Sequence, residues 1–193
     1  MINRADFKKM KEIIETYDSK REELIKISRD ITKKSKQAIY SLQRKNIKEA
    51  KELIADAKKN ISVLKKQIIH EPELLYEGSY NAALQEYAEG VTFLYFLEKN
   101  KLISSKELDV GTENYLLGLC DLTGELVRYA VNRSINDDFA KVIEIKEFVS
   151  QIYEIMMEFN FRNSELRKKY DSIKWNLQKL EDLVYELKLK GKL

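Results

Sequence analysis

The stretch AALQEYAEGVTFLYFL (residues 82–97) is apolar on nearly every face of a helix, and yet it carries two acids. A second stretch, YLLGLCDLTGELVRYAV (residues 115–131), has the same character. Helices that are hydrophobic all round are normally buried among other helices. The two stretches therefore predict two central helices of an all-α protein.

The segments on either side have the helical spacing needed to cover such a centre. Residues 1–71 contain neither Gly nor Pro, and apolar residues recur there every three or four positions in two runs. Asn46 is a suitable cap between the two runs, and Pro72 ends the antiparallel pair that they form. Further helices are predicted over residues 79–100, 113–133 and 138–158, the last of them capped by the run NDD (residues 136–138).

The segment from about residue 163 to residue 190 has the most regular pattern. Apolar residues alternate spacings of four and three over three heptads, at Leu166, Tyr170, Ile173, Leu177, Leu180, Val184 and Leu187. Such a seam is typical of helices that pack within a core or between subunits. No segment shows the alternation of a strand. We predict an antiparallel all-α bundle of about six or seven helices, forming a single domain over residues 1–193.

Composition restricts the class of protein. Charged residues make up 35% and hydrophobic residues 44% of the 193 residues, and no run of eighteen apolar residues occurs. The N-terminus is charged from its fourth residue, unlike a signal peptide. The lone Cys120 rules out an intrachain disulfide and fits a reducing compartment. We therefore expect a soluble cytoplasmic protein with no membrane partner.

The net charge of +3 hides an uneven distribution along the chain. Residues 1–69 carry a net charge of +9, residues 70–161 carry −10 and residues 162–193 carry +4. A basic segment beside an acidic one suits a protein that binds a polyanion with the first and processes it near the second. Solvated, lysine-rich helices would give the same counts, so charge alone leaves the partner open.

Four acids are the candidate functional residues. Glu86 and Glu89 lie on one face of the first apolar helix, and Asp121 and Glu125 on one face of the second, because the spacings are three and four. Such acids could hold Mg²⁺, which prefers hard oxygen ligands. The alternative is ion pairing, of Glu125 with Arg128 three residues on, and of the first pair with basic residues of the N-terminal helices. The residues alone leave both interpretations open.

Other catalytic chemistries lack the residues that they need. His70 is the only histidine, which excludes the two-histidine site of a metal-free ribonuclease. One Cys and one His do not form the usual four-ligand zinc site.

Gly90, Gly118 and Gly124 lie inside the predicted central helices, where each costs about 1 kcal/mol relative to Ala. Either a close helix crossing or room for a ligand explains them.

Four longer segments carry a resemblance to a known family. They are LIKISRDITKKSKQAI (residues 24–39), LQEYAEGVTFLYFL (84–97), NYLLGLCDLTGELVRYAVN (114–132) and FRNSELRKKYDSIKWNLQKLEDLVYELKLKG (161–191). They resemble the translin superfamily, the first three being similar to its nuclease branch, translin-associated factor X, and the last to translin itself. With the helix order, the resemblance covers almost the whole chain and implies a translin-like α-α superhelix.

The resemblance also implies an activity. In the nuclease branch the acids of the QE-x-x-E and D-L-T-G-E motifs bind metal and are catalytic, and here those positions are Glu86, Glu89, Asp121 and Glu125. The implied function is an endoribonuclease dependent on Mg²⁺ or Mn²⁺, cleaving RNA inside a homo-oligomeric chamber. Because one chain combines features of both branches, we expect a homo-oligomer in place of a mixed assembly, with an octamer as the size that the family suggests.

Two other functions remain alternatives. Translin itself lacks this set of acids and binds nucleic acid without cutting it efficiently, so the acids retained here favour the nuclease. The first alternative is a non-catalytic oligomer that binds single-stranded RNA or DNA, as translin does. The second is a structural scaffold whose acids are ion-paired. Arg21, Arg29 and Arg128 are the candidate nucleic-acid-binding residues, and basic clusters such as residues 33–36 and 167–169 are further candidates for neutralising phosphates.

Overall fold

The computed structural model describes residues 2–193, which form seven α-helices and no β-strand. The helices are α1 (Arg4–Gln43), α2 (Ile47–His70), α3 (Gly78–Lys99), α4 (Ser105–Leu108), α5 (Thr112–Ile135), α6 (Phe139–Met157) and α7 (Glu165–Leu189). A short 3₁₀ helix, Pro72–Tyr76, lies between α2 and α3. None of the helices of residues 2–193 has the length and apolar character of a membrane span. The all-α prediction is confirmed.

The helices α3 and α5 link the two halves of the core. Helix α1 contacts α2 and α3, α3 contacts α5, and α5 contacts both α6 and α7, which also contact each other. One group of buried side chains lies mainly among α1, α2 and α3, and a second lies among α5, α6, α7 and the ends of α1 and α3. The two apolar, acid-bearing stretches therefore occupy the central positions expected of them.

Local sequence sets the ends of α2. The side chain of Asn46 accepts a hydrogen bond from the backbone N–H of Glu49 at 3.3 Å, so Asn46 is the N-cap that the sequence predicts. Helix α2 ends at His70, and Pro72 begins the 3₁₀ helix. Proline is tolerated in the first turn of a helix but not in its interior, which explains the break.

Two features between helices differ from the prediction. The single turn α4 was not predicted, because four residues are too few to show a periodicity; it begins with a capping box between Ser104 and Glu107. Helix α6 begins after Asp138 as expected, but the Asp138 side chain makes no capping hydrogen bond. Instead, Asp137 adopts the left-handed conformation (φ 56°), so the run NDD turns the chain between α5 and α6.

The first turns of α1 project beyond the bundle. Lys20 pairs with Glu71 at the end of α2, and residues 2–16 are all exposed. The apolar side chains of this projecting end, which include Phe7, Met10 and Ile14, are therefore open to solvent. In contrast, the apolar seam of α7 is directed into the core, where Ile173 and Leu180 are fully buried.

A main-chain contact fixes the crossing of α3 and α5. A Cβ atom placed on Gly118 would lie 2.9 Å from both the Cβ of Ala88 and the backbone oxygen of Gln85, and 3.0 Å from the backbone nitrogen of Glu89. At Gly90 and Gly124 the nearest atoms would be 3.6 Å and 3.7 Å away, which is ordinary contact. A close helix crossing thus explains Gly118 but not the other two glycines.

Candidate functional site

An open pocket of about 530 Å³ lies where α1, α3, α5 and α7 meet. All four predicted acids line it, Glu86 and Glu89 from α3 and Asp121 and Glu125 from α5. The close crossing at Gly118, one helical turn before Asp121, brings the two acid-bearing faces together. Side chains of the outer helices complete the walls, among them Lys36, Tyr40 and Asn176. We refer to this cavity as the acid pocket.

Glu89 is the most deeply buried of the four acids, at 7% exposure. Its carboxyl group makes no hydrogen bond or ion pair with any side chain of residues 2–193. Burial, followed by the negative charges of Asp121, Glu86 and Glu125, raises the pKa of Glu89 to about 9. The pocket therefore concentrates negative charge around one carboxyl group that has no cation of its own.

Two of the other acids pair with lysines from outer helices. Oε1 of Glu86 lies 3.2 Å from Nζ of Lys36 on α1. Asp121 accepts hydrogen bonds from Nζ of Lys169 on α7, at 2.9 Å through Oδ1 and 2.7 Å through Oδ2. The side-chain amide of Gln85 also donates to Oδ2 of Asp121. These contacts tie α3 to α1, and α5 to both α3 and α7, around the pocket.

Glu125 is held by an amide and an arginine. Nε2 of Gln43 donates to Oε2 of Glu125 at 2.7 Å and to the backbone oxygen of the same residue at 2.9 Å. Nη1 of Arg128 lies 3.7 Å from Oε2 of Glu125, which confirms the intrahelical ion pair that the spacing allowed. Because Gln43 is buried, it fixes the orientation of the Glu125 carboxylate from the end of α1.

The donor set suits a hard divalent cation, although the side chains are not arranged around one. Within residues 2–193, no group of three or more His, Cys, Asp or Glu side chains is positioned to hold a metal ion. Carboxylate oxygens are nevertheless the ligands that Mg²⁺ and Mn²⁺ take, and the unpartnered Glu89 is a carboxyl group that a cation would stabilise.

The three predicted arginines lie in different places. Arg128 lines the acid pocket and is exposed. Arg29 is exposed on α1, and Arg21 donates to Glu77 at 2.8 Å near the start of α3. Arg21 and Arg29 are about 22 Å and 10 Å from Lys36 along the axis of α1, at 1.5 Å per residue. The structure therefore brings Arg128, but not Arg21 or Arg29, to the four acids.

Cys120 also lines the acid pocket without the features of a nucleophile. The thiol is buried, and burial, followed by the charge of Asp121, raises the pKa of Cys120 to about 12. A thiol with so high a pKa stays protonated at neutral pH, whereas a reactive cysteine needs its thiolate. Cys120 therefore contributes packing to the wall.

The sequence allowed Glu86 to pair with a basic residue of the N-terminal helices, and the structure identifies that residue as Lys36 of α1. The other partners of the acids, Lys169, Gln43 and Gln85, were not predicted. Lys36 and Lys169 also belong to the clusters considered for phosphate binding, and the sequence assigns neither lysine to a particular carboxylate. No local sequence pattern indicates the contact of Gln43 with Glu125, since the two residues are 82 positions apart. Gln85 directly precedes Glu86 in the QE-x-x-E motif, and its position beside the acids was a usable signal.

Comparison with known proteins agrees with the resemblance seen in the sequence. The Translin family model matches residues 19–191. Translin-associated protein X of Rattus norvegicus is 28% identical over 229 residues, covering 96% of this chain and 78% of the relative. Translin of Bos taurus is 26% identical over 157 residues, covering 74% of this chain and 69% of the relative. The solved structure of the AfC3PO–duplex RNA complex matches with a TM-score of 0.87 and 26% identity, covering 96% of this chain and 97% of that one. The chain therefore belongs to the translin family.

Proposed function

We propose that this protein is a metal-dependent endoribonuclease whose active site is the acid pocket. The observation that carries the proposal is the convergence of four carboxyl groups from α3 and α5, with Glu89 buried and unpartnered among them. In a scaffold whose acids serve only to form ion pairs, a buried carboxyl group without a cation would lower stability, since burying it costs free energy. In a site that binds a divalent cation, the same carboxyl group would serve as a ligand.

Hydrolysis of a phosphodiester requires an activated water, withdrawal of charge from the phosphoryl oxygens and help for the leaving group. When bound, Mg²⁺ or Mn²⁺ supplies the electrophile and makes water more acidic. Glu86, Glu89, Asp121 and Glu125 would hold the ion, because they are the hard oxygen donors of the pocket. Arg128, an exposed residue that lines the pocket, would bind a phosphate of the RNA through its planar guanidinium.

RNA is the proposed substrate for two reasons. A translin-family structure with the same fold over 96% of this chain is a complex with duplex RNA. In addition, Lys36 and the other basic residues of α1 lie beside the acidic α3, so the basic and acidic segments of the sequence meet at the pocket. A polyanion held by the first segment would reach the acids of the second. Single-stranded DNA shares this backbone charge and is a second possible ligand.

A homo-oligomer is the proposed working form, with an octamer as the size that the family suggests. Apolar side chains are exposed at the projecting end of α1 and on the outer side of α7, where Trp175, Tyr185 and Leu189 lie. Exposed apolar groups of this size suit contacts between subunits. Light scattering coupled to size exclusion measures the mass directly, and a monomeric mass would contradict this part of the proposal.

The test of the nuclease is cleavage of a labelled single-stranded RNA in Mg²⁺ and in EDTA. Asp121→Asn and Glu89→Gln each remove one carboxylate with little change of shape, so we expect losses of at least about 100-fold, comparable to the loss of a catalytic group. Glu154→Gln, an exposed change on α6 away from the pocket, is the matched control. Undiminished cleavage by both pocket variants would overturn the proposal.

The second candidate function is RNA or single-stranded DNA binding without cleavage. It is favoured by one observation, namely that three of the four acids already have a cationic partner within the chain. It predicts salt-sensitive retention of the oligonucleotide and no product in any divalent cation. The cleavage assay in Mg²⁺ and Mn²⁺ separates the two candidates.

A further inference from the structure

We propose that Lys36 and Lys169 are internal counter-ions of the acid pocket, which compete with a divalent cation for the carboxylates of Glu86 and Asp121. Each lysine stabilises the metal-free protein and weakens cation binding, because the cation must displace it. The inference rests on the proposed cation site, but it does not require that RNA is cleaved.

The contact of Lys169 carries most of the argument. Its ammonium group lies within hydrogen-bond distance of both carboxylate oxygens of Asp121, at 2.7 Å and 2.9 Å. An ion that used Asp121 as a ligand would approach the same two oxygens. Since an ammonium and a divalent cation a few ångströms apart repel each other, both cannot occupy that position at once.

Lys36 of α1 makes the corresponding contact with Glu86 of α3. Its ammonium lies 3.2 Å from Glu86, an acid that is largely covered, while the lysine side chain itself is 63% exposed. The side chain of Lys169 is 27% exposed. Both flexible chains therefore have access to solvent, where a strongly hydrated ammonium can move without unfolding its helix.

The charges agree with such an exchange. Lys36 and Lys169 together contribute +2, which equals the charge of one divalent cation. Displacing both by one cation leaves the net charge of the carboxylates and their counter-ions unchanged. The pocket can therefore remain folded in either state, whereas four acids without any counter-ion would repel one another. Lysines that served only to bind phosphate would have no effect on cation affinity in the absence of RNA.

The test is a calorimetric titration of the full chain with MgCl₂, in the absence of RNA. Lys169→Met keeps the aliphatic length and removes the charge, so we expect Mg²⁺ to bind about ten-fold more tightly than to the wild type. The metal-free Tm should fall, and the gain in Tm on adding Mg²⁺ should rise. Lys36→Met should act in the same direction with a smaller amplitude, because its contact is longer and more exposed.

Matched controls are available beside each lysine. Lys168 and Lys33 are exposed neighbours that make no ion pair in the described part of the chain, so Lys168→Met and Lys33→Met should leave Mg²⁺ affinity unchanged. Lys169→Arg keeps the charge and should bind Mg²⁺ no more tightly than the wild type. In an Asp121→Asn background, Lys169→Met should have a smaller effect on Mg²⁺ affinity, since the direct contact under competition is gone and only the longer-range repulsion by the ammonium remains.

Unchanged or weaker Mg²⁺ binding by both Lys169→Met and Lys36→Met would overturn the inference, and so would the absence of Mg²⁺ binding by every variant. If Lys169→Met does not fold, Lys36→Met alone decides the matter. Tighter Mg²⁺ binding with no RNA cleavage would support the inference and remove the nuclease. RNA cleavage together with unchanged Mg²⁺ affinity in the lysine variants would support the nuclease and overturn the inference.

Discussion

The ammonium group of Lys169 lies 2.7 Å from Oδ2 of Asp121 and thereby joins α7 to α5 at the acid pocket. Lys169 directly precedes Tyr170, a buried residue of the α7 seam, so the packing of the seam positions the lysine. Two turns further on, Asn176 donates to the hydroxyl of Thr123 at 2.9 Å. Helix α7 is thus both part of the core and a wall of the site.

Replacing Gly118 by Ala should destabilise the protein. The added Cβ would lie 2.9 Å from a backbone oxygen and 3.0 Å from a backbone nitrogen of α3, and main-chain atoms cannot rotate away. We expect the free energy of unfolding to fall by about 1–3 kcal/mol, as for overpacking elsewhere in protein cores. Denaturant unfolding measures this change.

The control for that change is Gly124→Ala on the same helix. Its Cβ would meet only the amide of Asn176, at 3.7 Å, and Ala gains helix propensity over Gly. We expect no loss of stability, and a gain of up to about 1 kcal/mol. Equal destabilisation by both changes would contradict the assignment of the close crossing to Gly118.

Glu89→Gln should change how stability depends on pH. The carboxyl pKa is about 9 in the folded protein and near its ordinary value of 4.5 in the unfolded chain. Between these values the folded state keeps a proton that the unfolded state releases, so the free energy of unfolding falls as pH rises from 4.5 to 9. At pH 7 the free energy of unfolding of the wild type should be lower than at pH 4.5 by on the order of 3 kcal/mol because of this group.

The glutamine variant has no such proton. In EDTA, Glu89→Gln should therefore match the wild type near pH 4.5 and exceed it in stability at pH 8, which thermal unfolding across the pH series will show. Glu154→Gln, the exposed control on α6, should follow the wild type. Parallel profiles of Glu89→Gln and wild type would mean that Glu89 is not held as a neutral acid.

Gln43→Leu should weaken cation binding through Glu125. The change removes two hydrogen bonds to Glu125, of 2.7 Å and 2.9 Å, and leaves its carboxylate with Arg128 alone. We expect a loss of about 1–2 kcal/mol in unfolding free energy, as for buried hydrogen bonds. Mg²⁺ affinity should fall about ten-fold, the lower end of the effects seen when an outer-shell partner of a ligand is removed.

Calorimetry and denaturant unfolding measure these two quantities. Gln37→Leu, an exposed change on the same helix, is the control and should alter neither of them. Wild-type cation affinity in Gln43→Leu would show that the orientation of Glu125 does not matter for the ion.

Arg128→Ala should reduce RNA affinity more than Arg29→Ala. Arg128 lines the acid pocket, whereas Arg29 lies about 10 Å away from Lys36 along α1. In fluorescence anisotropy over a salt series, loss of one phosphate contact should lower the slope of log affinity against log salt by about one. Arg21→Ala should act on stability instead, since Arg21 pairs with Glu77. Equal loss of affinity in all three variants would indicate a binding surface that runs along α1.

Much of the architecture follows from local sequence. The two central helices were predictable because they are apolar on every side, and the ends of α2 were predictable from Asn46 and Pro72. The turn α4 has a readable capping signal in Ser104 and Glu107, yet one turn has too few residues for a periodic pattern. The start of α6 depends on a left-handed residue that the sequence did not identify.

Individual contacts of the site were predictable only where the residues share a helix; between helices, the sequence allowed Glu86 an unspecified basic partner from the N-terminal helices, which is Lys36. Spacings of three and four identified the four acids and the pairing of Glu125 with Arg128. Asp121 meets Lys169 across 48 residues, and Gln43 meets Glu125 across 82. Contacts at such separation depend on how α1 and α7 pack against the central helices. Local patterns in a single sequence do not show which distant residues this packing brings together.

The glycine at the α3–α5 crossing has a consequence for how this molecule can vary. Because backbone touches backbone there, the separation of the two acid-bearing faces does not depend on which aliphatic side chains fill the neighbouring core. We therefore expect exchanges among leucine, isoleucine and valine around the crossing to change the distance between the carboxylates less than Gly118→Ala would. A protein built in this way can accept extensive divergence in its interior and still preserve the spacing on which its chemistry would depend.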